Sequence, residues 1–139
     1  MTKLVLMCAV ITLTLGLCGC SSQSMVEITC DEFYKLQHQG IEVAVPVGES
    51  FKVTLCANPS TGFMWGEATI DDENALAQVA REYIAPGGRR PPAPGTAGQE
   101  VWTFKALRPG QSTVSIEYGQ PWEGGTKAEW TLDLTVTVK

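Results

Sequence analysis

The sequence predicts an all-β sandwich. Apolar residues alternate with polar or small ones in six separate rows, each row is short, and glycine- or proline-rich turns divide them. A period of two is the signature of a half-buried strand, and short strands divided by regular turns favour two packed sheets.

The first row is Val26, Ile28 and Cys30, and the second is Ile41, Val43 and Val45. Between them, 31–38 reads as a short helix with Asp31 as its cap. Phe51, Val53, Leu55 and Ala57 form a third row. Cys56 falls on its opposite face, which places that thiol off the core. The stretch 71–84 carries both a helical and an alternating spacing; a turn over 71–74 followed by a strand over 76–84 is the expectation. Next comes a proline- and glycine-rich loop, 85–98. Trp102, Phe104 and Ala106, then Val114, Ile116 and Tyr118, and finally Trp130, Leu132, Leu134, Val136 and Val138 complete the pattern.

The start of the chain reads as a targeting segment. Lys3 precedes an apolar run from Leu4 to Leu17, too short for the roughly 20 residues of a membrane-spanning helix. It ends in Leu17-Cys18-Gly19-Cys20, which is similar to a bacterial lipobox with Cys20 as the lipidated residue; ordinary cleavage nearby is the alternative. The expected organisation is a signal peptide over 1–19, a lipidated tether over 20–25 and one β-domain over 26–139. That places the domain on the extracytoplasmic face of a membrane, inner or outer, held by more than one acyl chain.

Without the signal, two cysteines remain besides Cys20. Cys30 and Cys56 are an even pair in an oxidising compartment, so a disulfide is expected, with two separate thiols as the alternative. A net charge of −5 and a single basic pair, Arg89-Arg90, argue against a nucleic-acid partner. Monomer is the default expectation.

The residue inventory does not suit catalysis or a cofactor. His38 is the single histidine, in a polar stretch; neither Cys30 nor Cys56 has a nucleophile's surroundings. Ligand clusters for a transition metal are lacking. Asp71-Asp72-Glu73 reads as a solvated turn, with a weak calcium site as the alternative.

Three loop segments stand out instead. Asn58-Pro59-Ser60-Thr61-Gly62-Phe63 combines a proline that fixes φ with a glycine that permits an unusual one, giving a stiff, shaped loop. Gly95-Thr96-Ala97-Gly98 closes the long loop. Gln120-Pro121-Trp122 places an indole in a Pro/Gly turn, where it is exposed as a binding anchor or folded back on the sandwich.

These three segments, in this order, resemble the chagasin family of cysteine peptidase inhibitors, over about Val26 to Lys139. The first matches the family's Asn-Pro-Thr-Thr-Gly-aromatic loop with Ser60 in place of a threonine. The third matches its Arg-Pro-Trp loop with Gln120 in place of the arginine. The resemblance implies an immunoglobulin-like sandwich with the loops at one end, entering the cleft of a papain-like peptidase as a wedge. In that arrangement Asn58 to Phe63 lies over the catalytic cysteine, Trp122 packs beside the cleft, and Gly95 to Gly98 reaches the other wall. Loss of the arginine's charge puts its partner interactions in doubt. The rival reading is a non-inhibitory adhesion or ligand-binding lipoprotein, with Trp65, Trp122 and Tyr118 lining a sugar-binding surface.

Overall fold

The computed structural model describes residues 24–87 and 92–139. The leader, Cys20 and the Arg89-Arg90 pair lie outside them. Among the described residues, nine strands form two facing sheets, accompanied by one short α-helix. β1 (Met25–Ile28), β3 (Ser50–Ala57), β7 (Gly98–Ala106) and β6 (Leu76–Ile84) make one sheet, in the order β1-β3-β7-β6. β2 (His38–Val45), β9 (Trp130–Val138), β8 (Gly110–Gly119) and β4 (Met64–Trp65) make the other, with β5 (Thr69–Ile70) also pairing with β8.

The alternating rows face inward as expected. Phe51, Val53 and Leu55 meet Trp102, Phe104 and Ala106 from the same sheet, and Ile116, Leu132, Leu134 and Val136 close the core from the other. Phe51 and Phe104 stack at 5.5 Å. The strand over 76–84 forms at the expected bounds. Its turn is held by Asp71, whose carboxylate accepts bonds from the Thr113 amide and the Ser112 hydroxyl. Those bonds hold the Asp71 carboxyl below its ordinary value, the Thr113 amide most of all.

Two pairings are parallel. β1 runs alongside β3, from Met25 opposite Lys52 to Ile28 opposite Leu55. β2 runs alongside β9 over its full length. Between these two strands the chain crosses from one sheet to the other through α1 (Cys30–Lys35).

The helix differs from expectation at both ends. Thr29, not Asp31, is its cap: the Thr29 hydroxyl accepts the Glu32 amide, and the Glu32 carboxylate accepts the Thr29 amide at 2.7 Å. His38 already belongs to β2. Cys30 is therefore helical and not the end of a strand row. Phe33 is fully buried, stacked on Trp130 at 5.0 Å and tilted against Trp65, so α1 plugs one end of the sandwich.

The Cys30–Cys56 disulfide forms, with Cα atoms 5.1 Å apart. Cys56 departs from expectation in being buried and part of the core cluster, at 5% exposure. Its side of β3 would face outward in an open sheet, but α1 reaches over this end of the strand.

Candidate functional site

The three loops gather at the end plugged by α1. The first begins where β3 stops. Pro59 to Thr61 forms a single 3-10 turn, with Pro59 at its first position and Gly62 closing it at φ 82°. Its polar groups turn back on the loop itself. The Asn58 carbonyl accepts the Thr61 amide and, at 2.7 Å, the Thr61 hydroxyl; the Pro59 carbonyl accepts the Gly62 amide. The Asn58 side-chain oxygen accepts the Ser60 hydroxyl at 2.6 Å.

Asn58 also ties this loop to the others. Its side-chain Nδ2 donates to the Gly95 carbonyl at 2.8 Å, which joins the first loop to the second. Its backbone amide donates to the Tyr118 hydroxyl at 3.1 Å. Tyr118 is buried and stacks on Phe63 at 5.7 Å, so β8 supports the loop from beneath. Burial raises the Tyr118 hydroxyl above its ordinary value, partly opposed by the bonds to Asn58 and Thr61, which keeps the phenol neutral.

Only part of the second segment is surface. Gly95 adopts φ 83° and, with Thr96, is exposed; the Thr96 amide and hydroxyl both bond the Ala93 carbonyl. Ala97 packs against the core. Gly98 is buried as the first residue of β7, with no room for a side chain between the Ile84 backbone and the Tyr83 ring. Its glycine is therefore a packing requirement of the sheet.

In the third loop the Gln120 side chain faces inward. Its Oε1 accepts the Thr126 amide at 2.9 Å, and the Gln120 backbone amide donates to the Thr126 carbonyl. Lys127, which no sequence motif marks, donates from Nζ to the carbonyls of Gln120 (2.5 Å) and Trp122 (2.8 Å). A cation thus sits against this loop although Gln120 is neutral. Pro121 is exposed, and Trp122 is 49% exposed. The indole is packed against the first loop: a Cβ on Gly62 would lie 2.7 Å from Trp122 Cη2.

Two residues thought exposed are not. Trp65 is 2% exposed and donates from Nε1 to the Cys56 carbonyl, and Tyr118 is 3% exposed. Of the three aromatics set out for a sugar-binding surface, Trp122 alone reaches solvent. Arg81 locks the chain just past the first loop, binding the Trp65 carbonyl, Glu67 and Glu100, and lying over the Trp102 ring.

The sequence profile described as the chagasin family peptidase inhibitor I42 matches residues 44–136. This chain belongs to the chagasin family of peptidase inhibitors. Chagasin of Trypanosoma cruzi is 33% identical over 90 residues, 63% of this chain and 79% of the relative. Two solved structures share the fold. The cysteine protease inhibitor EhICP2 of Entamoeba histolytica superposes with a TM-score of 0.64 at 19% identity, over 85% of this chain and 98% of that one. PbICP-C, solved in complex with falcipain-2, gives 0.56 at 18% identity, over 82% and 99%. The family profile begins within β2, whereas the superposition on EhICP2 takes in 85% of this chain.

Proposed function

We propose that this inhibitor blocks the active-site cleft of papain-like cysteine peptidases, reversibly, with the exposed parts of its three loops: Asn58 to Phe63, Gly95 with Thr96, and Pro121 with Trp122. Membership of the family makes the chain a cysteine peptidase inhibitor, and PbICP-C of the same fold is bound to a peptidase. The observation that carries the loop assignment is their mutual contact: Asn58 holds Gly95, and Trp122 lies on Gly62.

The physical consequences suit inhibition. A prefolded edge loses little conformational entropy on docking. The carbonyls of Asn58 and Pro59 are already bonded inside the turn, which withholds them from a nucleophile and its oxyanion donors. The loop then covers the catalytic thiol without being cut. Protease–inhibitor interfaces typically bury about 1,600 Å², and a half-exposed indole held by neighbours is the kind of group that dominates them.

Titration of the domain from Ser24 onward against papain tests this. Tight reversible inhibition is expected, weakened by about 2–4 kcal/mol in Trp122→Ala. An unchanged inhibition constant for that variant would remove Trp122 from the interface.

The location of the domain is part of the same proposal. The lipobox-like Leu17-Cys18-Gly19-Cys20 supports lipidation at Cys20, and a Cys30–Cys56 bond suits an oxidising compartment. Cys20→Ser is expected to move the protein from the membrane fraction to the soluble fraction.

A further inference from the structure

A cavity of about 330 Å³ lies between α1 and the first loop. Tyr34, Phe63 and Trp130 give it aromatic walls, Asn58 and Thr61 lie along its rim, and Glu129 supplies its one carboxylate. We propose that this cavity is an additional contact site that takes a cationic side chain, lysine or arginine, from the rim of the target peptidase. The proposal rests on the loop assignment above and extends it to an element outside the family profile.

The occupant follows from the lining. A cation is attracted to the face of an exposed tyrosine such as Tyr34, and more so where a carboxylate is near. Trp130 is buried and already stacked by Phe33 and Tyr118, so it shapes the wall without offering its face. Among the described residues Glu129 has neither an ion pair nor a side-chain hydrogen bond, and no lysine or arginine lines the cavity. An apolar occupant would strip water from Glu129 without replacing it, and an acidic one would be repelled. The volume accommodates a guanidinium or ammonium group with several waters.

The peptidase is the source of that side chain because the cavity and the wedge share a rim. Asn58 and Thr61 belong to both, so a protein seated over the first loop covers the mouth. Tyr34 stands beside it at 74% exposure, edge-on to Trp130 at 5.3 Å. It lies one helical turn after Cys30, on the face that the disulfide clamps to β3. An exposed aromatic on a fixed helix is suited to selecting among targets.

The experiment measures inhibition constants of wild type, Glu129→Gln, Glu129→Lys, Tyr34→Ala and Trp122→Ala against papain and several other papain-like peptidases. Each is measured at about 0.05 M and about 0.5 M salt, where screening differs strongly. For at least one peptidase, Glu129→Gln is expected to weaken inhibition about fivefold to twentyfold at low salt, and less at high salt. Glu129→Lys weakens it further, and Tyr34→Ala costs about tenfold. Thermal melting of Glu129→Gln is expected to match wild type. Should both Glu129→Gln and Tyr34→Ala inhibit every peptidase as wild type does while Trp122→Ala loses potency, the cavity is no contact and the wedge stands. A loss in Tyr34→Ala with none in Glu129→Gln at either salt overturns the cationic occupant in favour of an apolar one. Failure of wild type against every peptidase overturns the loop assignment itself.

Discussion

The indole of Trp122 takes the space where any residue but glycine at position 62 would put its side chain. Gly62 meets two demands at once, a left-handed backbone at φ 82° and a bare surface beneath the ring. Gly62→Ala is expected to lower stability by about 1–3 kcal/mol, from backbone strain. It also displaces Trp122, so inhibition falls together with the melting temperature. Inhibition that persists at the wild-type level would show the indole to be free of the first loop.

Tyr118 serves the first loop through one hydroxyl. Tyr118→Phe keeps the stack on Phe63 but leaves the Asn58 amide without its partner, at a cost of about 1–3 kcal/mol. Asn58→Ala instead cuts the tie to Gly95 and the bond from Ser60, and is expected to weaken inhibition about tenfold. Denaturant midpoints and inhibition constants separate the two effects: the first variant moves mainly stability, the second mainly affinity.

Lys127 is expected to matter for affinity more than for folding. Its ammonium is exposed, so Lys127→Met changes stability by about 1 kcal/mol or less. Without it the carbonyls of Gln120 and Trp122 lose their shared donor and the Pro121-Trp122 tip loosens. Inhibition should weaken about threefold to tenfold, chiefly through faster dissociation, which stopped-flow or surface-based kinetics would resolve.

The disulfide spans 26 residues, and removing it with Cys30→Ala and Cys56→Ala should cost about 3 kcal/mol on the chain-entropy account. Urea unfolding gives the direct measure. The loss is predicted to fall most heavily on α1, so hydrogen exchange around Phe33 should rise before exchange in β7 does.

Much of the fold was legible because one face of each strand is buried. The alternation of Phe51, Val53 and Leu55, or of Leu132, Leu134 and Val136, needs no tertiary information to read. The parallel pairings of β1 and β2 were not legible, since partner choice depends on residues far away in the chain. Cys56 was misplaced because the covering helix is distant in sequence from β3. Trp65 shows the same limit: beside a loop it looked exposed, yet Phe33 arrives from α1 to bury it. At the site, Asn58 to Gly62 and Trp122 were marked by their own local chemistry. Tyr118 was legible as a strand residue, but its bond to Asn58 joins positions 60 residues apart. Lys127 binds carbonyls five and seven residues before it, through a turn whose shape no local pattern announces.

The parallel course of β1 along β3 sets which way the molecule points. The chain enters beside Lys52, where the Ser24 carbonyl is bonded, and Asn58 lies about 20 Å farther along the same direction. The last residue, Lys139, is paired with Val45 at that same entry end. Any tether at either terminus therefore grips the base and leaves the tip forward. If Cys20 is held in a bilayer, the intervening residues reach at most about 14 Å. The loop end would then be the part of the domain farthest from the anchor.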